Sequence, residues 1–489
     1  MSLIEIHNVS KDFHTWFSHK PVIKDISLTI CQGEFVVLIG ENGSGKTTLV
    51  NLILGLVSPT TGDIKLMGTS PKSPNSKNYV GVVFQESNLP ENMKVRELIQ
   101  LVRSYYPESI STEELLEAFN LQKKQDDWAN KLSGGWKQRL YFSLALASNP
   151  KLLILDEPTK EMDDAAYKEF WKQIENCQER GVSILMVTHL KSDRERLTKM
   201  ANRIITLYSI EDAPLSGQLS EDVLSIALKV TQPDNSNTIK ESTSSPFKSL
   251  NLVNLFIQQF WVEILQLLRT PIFLITIFLF AGFSALIPSG GENADKASVI
   301  NFSVFTLLTI SFERLGKRVA IERKNCWLKF IRSTPLPPIM YIAVKVSTAL
   351  LISGFSLILI FVLNTKSHQL SGTFIDWIIP FLTLLLGIIP FALLGLGMSY
   401  LIDPKSYDPI AAVIMIIGLS TSGYDLNLSS TIQNLVAFSP FYHYLQLANL
   451  TVGLEDDSYL LMHILWLTWA SVAFGTVAVW AYRQDRATQ

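Results

Sequence analysis

The sequence predicts an α/β domain followed by an all-α membrane domain of six transmembrane helices. Up to about Tyr208, short apolar runs alternate with amphipathic segments, the pattern of a largely parallel sheet covered by helices. From about Ser209 to Lys248 the residues turn polar and rich in Ser, Thr, Asn, Asp and Pro ("QPDNSNTIKESTSSP"), too poor in apolar groups to pack. After Pro271 come long apolar windows almost free of formal charge. The expected organisation is therefore a domain over residues 1–210, a linker over 211–248, an interfacial helix over 249–270 and a membrane domain over 271–489.

Composition agrees with a chain partly solvated by lipid, because 47% of its 489 residues are hydrophobic. A net charge of -2 marks neither a nucleic-acid binder nor an acidic tail, so no nucleic-acid partner is expected. Cys31, Cys177 and Cys326 lie too far apart for a zinc site or a disulfide framework and are compatible with a reducing compartment. The first residues, "MSLIEIHNVSKDF", alternate polar and apolar positions without the basic and apolar stretches of a secretory signal, and are expected to begin a cytosolic strand.

In the second half, "LNLVNLFIQQFWVEILQLLRTP" places apolar residues at helical spacing, interrupted by Gln258, Gln259, Glu263 and Gln266, as expected of a helix lying along a bilayer. Six apolar windows follow: Pro271 to Pro288, Ser298 to Phe312, Ile339 to Leu363, Trp377 to Ile402, Pro409 to Tyr424 and Leu460 to Tyr482. The second and fifth are short for a crossing that needs about 20 residues. Lys345 is the charged exception and is expected to snorkel to the interface. Arg314, Lys317, Arg318, Arg323, Lys324, Lys329 and Arg332 crowd the loop after the second window, whereas Asp425 to Tyr459 has no Lys or Arg. The positive-inside rule then puts the first loop, the N-terminal domain and both termini in the cytoplasm.

The phosphate chemistry is local. "FVVLIGENGSGKTTLVNLILGL" reads as a strand, a Gly-rich loop and a helix, and fits the P-loop pattern from Gly40 to Thr47. Gly40, Gly43 and Gly45 let the backbone turn its N–H groups toward a polyphosphate, with Glu41, Asn42, Ser44 and Thr48 completing the expected ATP-binding loop. Lys46 would contact the β- and γ-phosphates, and the Thr47 hydroxyl would reach Mg²⁺. The strand "LLILDEPT" ends in Asp156 and Glu157, and two acids at the end of a buried strand need a cation or hydrogen bonds. Asp156 suits Mg²⁺, and Glu157 suits a general base for the attacking water. The strand "VSILMVTH" delivers His189 to the same edge.

Together, "GENGSGKTT", Gln85 in "VVFQE", "LSGGWKQR", "LLILDEPT", Asp163 and "VTH" resemble the ABC transporter nucleotide-binding domain in order and spacing. The resemblance implies an ABC-type P-loop NTPase fold and ATPase activity with ATP and Mg²⁺. It implies that Gln85 couples Mg²⁺ to the membrane half and that Ser133, Gly134 and Gly135 contact the γ-phosphate bound by the opposite subunit. It also makes His189 the switch histidine and adds Asp163 to the nucleotide set. Phe13 resembles the aromatic that stacks on adenine, with Trp16 left open beside it. Trp136 stands where the family has Gln, and Glu161-Met162-Asp163 where it has Gly-Leu-Asp. Neither departure removes a group with an assigned phosphate contact, so a working site is expected.

The membrane half resembles the type-2 ABC exporter permeases, through its in-plane helix, six spans, the basic loop running into "RSTPLPPIMYIAVKV" and the external stretch before the last span. "VVFQESNLPENMKVRELIQL" also resembles the multidrug members of that group. These resemblances imply a half-transporter that pairs with a second copy of itself in a bilayer, a bacterial inner membrane, and exports a hydrophobic or amphipathic cargo. The alternatives are a regulatory or immunity protein without net transport, or one half of a heterodimer with a partly degenerate site.

Overall fold

The computed structural model of the chain describes residues 1–15, 18–85, 88–159, 162–189, 194–212, 218–222, 251–286, 290–367, 374–420, 438–455 and 459–488. Its strands are β1 (Ser2–Thr15), β2 (Ser18–Cys31), β3 (Phe35–Ile39), β4 (Thr61–Leu66), β5 (Val80–Val83), β6 (Leu152–Asp156), β7 (Ser183–Thr188), β8 (Arg203–Leu207) and β9 (Leu219–Asp222). Alternating residues in β1, such as buried Ile4 and Ile6 around Glu5, suit an antiparallel sheet with one covered face, and β2-β1-β4 form one. The continuous apolar runs of β3, β6 and β7 are buried along their length, as parallel strands covered on both faces must be. They sit inside a second sheet ordered β5-β6-β7-β3-β8-β9, parallel except for β9.

Strand β9 corrects the expectation that residues 211–248 are only an unpacked linker. Its backbone pairs with β8, while the Gln218 amide accepts from Lys24 N at 2.9 Å and donates to Val22 O at 3.0 Å. Edge pairing needs backbone groups and a few amide contacts rather than apolar side chains, so composition does not reveal it. Residues 213–217 and 223–248 lie outside the described set.

Helices of the first half are α1 (Lys46–Ile53), α2 (Val95–Ser104), α3 (Thr112–Ala118), α4 (Gly134–Leu146), α5 (Asp164–Glu179) and α6 (Arg194–Met200). Phe119, Phe142 and Phe170 pack their rings at 5.6 and 5.3 Å between centroids and tie α3, α4 and α5 together.

Later helices are α7 (Leu252–Leu268), α8 (Pro271–Ala285), α9 (Glu292–Leu308), α10 (Leu315–Lys324), α11 (Trp327–Arg332), α12 (Pro338–Ser367), α13 (Phe374–Gly387), α14 (Ile389–Leu401), α15 (Pro404–Ser420), α16 (Pro440–Thr451) and α17 (Leu460–Thr488). The chain forms two compact units, one of Met1–Gln259 with Cys326–Pro338 and Arg486–Gln489, the other of Phe260–Asn325 with Ile339–Asp485.

Among the described residues, four helices are long and apolar enough to cross a membrane: Glu292–Lys324, Pro338–Thr365, Asp376–Leu401 and Leu460–Tyr482. Windows one and five are occupied by the 15-residue α8 and the 17-residue α15. Exposed Phe278, Phe283, Phe355, Leu382, Ile416 and Trp469 give this unit an apolar exterior suited to lipid.

Three features depart from the hydropathy reading. The basic stretch expected as a loop is largely helix, because α9 continues through a π-helical turn at Thr309–Arg314 into α10, and α11 follows. The turn's Phe312 carbonyl accepts from Tyr407 Oη at 2.9 Å, and that hydroxyl also lies 3.2 Å from Gly395 O. Second, the stretch read as an external loop contains α16, whose 12 residues are too few to cross and whose Phe441, Tyr444 and Ala448 are buried. Third, Lys345 does not snorkel. It is 1% exposed, with Nζ 2.7 Å from Glu263 and 2.5 Å from Glu322, while Arg318 reaches the same acids at 2.8 and 3.5 Å. Thus Glu263, read as one polar interruption of an interfacial helix, faces inward, while Val253, Ile257 and Trp261 on α7 are exposed.

Candidate nucleotide site

Strand register assembles the site. Ile39 of β3 is level with Thr188 of β7, Val187 with Asp156 of β6, and Leu155 with Val83 of β5. The residues that follow, Gly40, His189, Glu157 and the Phe84-Gln85 pair, therefore leave the parallel sheet at one carboxyl-terminal edge. Crevices at such edges are where open α/β sheets bind ligands.

The loop over Gly40 to Thr47 needs its glycines for different reasons. Gly43 and Gly45 have φ of +87° and +98°, where a side chain is strained. A Cβ at Gly40 would stand 2.4 Å from Leu207 O and 2.7 Å from Ser44 Oγ. Gly45 is the N-cap position of α1, so the helix's free N–H groups open onto the loop. Ser44 Oγ is buried without a hydrogen-bond partner. Lys46 Nζ donates to Gly40 O and Glu41 O, both at 2.8 Å, which arches the ammonium back over the loop. Burial pulls its pKa below the ordinary lysine value, while the charges of Glu157 and Asp156 push it back up. Thr47 and Thr48 follow in the first turn of α1.

Asp156 is 1% exposed, and neither carboxylate oxygen has a hydrogen-bond partner. Burial pushes its pKa from 3.8 to about 6, against the pull of Lys329, the Thr47 hydroxyl and Lys46. The Thr47 hydroxyl is near enough to act on the carboxylate yet short of a formed hydrogen bond. A buried carboxylate lacking a partner, with a threonine hydroxyl beside it, is the hard oxygen donor set of a Mg²⁺ ion. Asp156 and Thr47 therefore fit that ion, and Gln85 sits half-buried at the same edge.

Glu157 has a φ of +49°, a conformation that a non-glycine residue holds only where its surroundings enforce it. Its N–H donates to Val187 O at 2.8 Å, which fixes the turn. Oε1 lies 2.7 Å from His189 Nδ1, and Oε2 is buried without a partner. With Glu157 ionised, the Nδ1 proton occupies Oε1 and leaves Oε2 as the acceptor.

Other expected residues lie elsewhere. Ser133 is the N-cap position of α4, with Gly134 and Gly135 in its first turn. Asp163, expected in the nucleotide set, caps α5 by accepting from Ala166 N at 2.7 Å, and a Cβ at Gly135 would stand 2.6 Å from its Oδ2. Trp136 lies under Arg139, whose guanidinium carbon is 5.0 Å from the ring centroid. Phe13 is half-buried on β1, with Lys11 Nζ 4.9 Å from its ring centroid. Trp16 and Glu161 fall outside the described residues. Sequence reasoning counted Lys329 only as loop charge and missed its action on Asp156. The available signal was the aromatic-basic run "WLKFIR" between two apolar windows.

Comparison with known proteins agrees with the first half. The ABC transporter family model matches residues 23–160. Nod factor export ATP-binding protein I of Rhizobium meliloti is 37% identical over 203 residues, 40% of this chain and 59% of its own length. The Burkholderia lata protein of that name is 36% identical over 201 residues, 40% of this chain and 65% of its own. The chain thus spans less than two thirds of these curated relatives. A solved dimeric post-hydrolysis structure of the ATP-binding cassette MJ0796 bound to ADP and Pi is matched at 26% identity, covering 42% of this chain and 96% of that one with a TM-score of 0.39. The loop and the carboxylate pair of this sheet edge fall inside the matched stretch, so residues 23–160 of this chain are similar to the ABC transporter family.

Proposed function

We propose that the chain is a half-transporter that hydrolyses ATP and uses it to export a hydrophobic or amphipathic cargo, working as a homodimer with its nucleotide-binding domains and both termini in the cytoplasm. The carrying observation is the Glu157–His189 contact of 2.7 Å beside the buried, partnerless Asp156. Asp156 and Thr47 would hold Mg²⁺, with Gln85 beside them, and the ion would supply neutralisation of phosphate charge. The glycine loop, Ser44 and Lys46 bind the phosphate chain. Glu157 Oε2 takes a proton from water as its oxygen attacks the γ-phosphorus and the bond to ADP breaks. His189 keeps Oε1 engaged so that Oε2 faces the water. Ser133 to Gly135 complete the site of the second copy, which makes nucleotide binding favour the closed dimer.

Transmission to the membrane half is supported by Cys326–Pro338, a stretch between apolar windows that packs in the same compact unit as the nucleotide fold. Lys77 Nζ donates to Arg332 O there, and Tyr105 Oη donates to Gln259 Oε1 of α7 at 2.5 Å. The export direction is supported by relatives named as export ATP-binding proteins. Trp136 favours a second reading, a heterodimer in which this chain supplies an altered signature.

The test is ATP hydrolysis by the chain in lipid nanodiscs, with the mass of the complex measured on the same sample. Turnover by a dimer of identical chains, reduced at least about 100-fold in Glu157→Gln and retained in Trp136→Gln, supports the homodimeric ATPase. A silent wild type revived by Trp136→Gln refutes it in favour of the heterodimer. Turnover without cargo flux in vesicles refutes transport.

A further inference from the structure

Glu292–Lys324, long and apolar enough to cross a membrane, is broken by the π-helical turn at Thr309–Arg314. Such a turn holds one residue more than the α-helix around it and is frequent at functional sites. It therefore rotates everything beyond it by about 100° from the phase of an unbroken helix. In that phase α10 finds its partners. Arg318 reaches Glu263 at 2.8 Å, Glu322 reaches Lys345 at 2.5 Å, Lys317 pairs with Asp408, and Arg323 Nη2 donates to Ile402 O at 3.1 Å. These contacts fasten α10 to α7, α12 and the start of α15 as one block. The turn is held differently. Tyr407 Oη donates to the carbonyl of buried Phe312 at 2.9 Å and lies 3.2 Å from Gly395 O. A Cβ at Gly316 would collide with Tyr407, and one at Gly395 with the Phe312 carbonyl, so glycine at both positions lets the hydroxyl reach the turn. At its other end α10 gives way to Cys326, whose φ of +57° is left-handed. There the chain enters the compact unit that contains the nucleotide fold.

Resting on the nucleotide coupling proposed above, we propose that the π-turn is a hinge latched by Tyr407, at which α10 pivots against α9 when nucleotide binds. Motion of the unit that includes Cys326–Pro338 passes along the chain through Cys326 to α10. Separating a buried ion pair is costly, so α10 stays with α7, α12 and α15. One neutral hydrogen bond is the weaker link, and the joint yields where Tyr407 holds Phe312 O. In an unbroken α-helix that carbonyl accepts from Gly316 N, so a backbone donor four residues on is ready when the hydroxyl lets go. A device of this kind needs two nearly balanced arrangements of one element, and the exchange of one hydrogen bond for another supplies them.

The experiment follows amide hydrogen exchange by mass spectrometry in the full chain in nanodiscs, without nucleotide and with a non-hydrolysable ATP analogue and Mg²⁺. In wild type the analogue should protect Gly43 to Thr48 and speed exchange at Phe312 to Lys317 about two- to tenfold, the worth of one hydrogen bond. Tyr407→Phe should show that faster exchange already without nucleotide, and the analogue should add nothing to it. Tyr444→Phe removes the same kind of buried bond, from its hydroxyl to Leu384 O at 2.7 Å, and should leave Phe312 to Lys317 as in wild type. Protection at Gly43 to Thr48 with unchanged exchange at the turn overturns the hinge and leaves the nucleotide reading standing. Absence of that protection refutes the nucleotide reading and removes the trigger of the hinge with it. Equal loosening of the turn by Tyr444→Phe overturns the latch. The wild-type comparison needs no variant, so it decides the hinge even if Tyr407→Phe fails to fold.

Discussion

Removing Lys345 should unfold the compact unit of Phe260–Asn325 with Ile339–Asp485 more readily than any surface charge change, and charge restoration should reverse it. Lys345, 1% exposed, lies between Glu263 and Glu322 at 2.7 and 2.5 Å, with Arg318 as the second cation and Tyr341 Oη donating to Glu322 at 2.6 Å. Two acids thus balance two bases. Lys345→Met leaves two carboxylates to one guanidinium, and a buried pair that loses one partner costs about 3–5 kcal/mol. In a unit of this size each kcal/mol moves the midpoint by about 2–4 °C, so a fall of about 6–20 °C is expected. Adding Glu322→Gln rebalances the cluster and should recover at least about half of the loss, because neighbouring charges do not act additively. Thermal unfolding of all four chains of the cycle in nanodiscs reads this directly. A Lys345→Met midpoint within about 2 °C of wild type, or a double variant that is merely the sum of the two singles, refutes the reasoning.

Two further outcomes are expected from other contacts. Because Asp156 rises from 3.8 to about 6 on folding, the folded chain binds more protons between those values, so stability is lost as pH rises through that window. The loss is about 3 kcal/mol at neutral pH; denaturation of the nucleotide-free chain should show wild type regaining about 1 kcal/mol of it from pH 7 to 5, relative to Asp156→Asn, and most of the rest only as pH approaches 4. Equal pH dependence in both chains would contradict it. Gly316→Ala should lower the thermal midpoint, because a Cβ there would lie 1.7 Å from Tyr407 Oη and 2.6 Å from Gly395 O, an overpacking worth about 1–3 kcal/mol. Gly282→Ala, with nothing within 4 Å, should be neutral or stabilising in the same melt.

The sequence by itself determined whatever is written in consecutive residues. Gly40 to Thr47, Asp156-Glu157 and His189 each end or follow an apolar strand, and parallel strands place their carboxyl ends together, so motif order alone assembles one edge. Apolar windows likewise located the four helices that, among the described residues, are long and apolar enough to cross a membrane, because mean hydropathy is a property of a continuous stretch. Tertiary structure decided the pairings that join distant segments. Lys345 reads as a snorkelling lysine until Glu263 and Glu322 are brought to it. Asp163 also caps α5 beside Gly135, a contact that its motif does not announce. Helices α10, α11 and α16 and strand β9 were hidden because charge and shortness conceal an element whose stability comes from its neighbours rather than its own composition. The partner of a charge is set by which chains pack, and no local pattern carries that information.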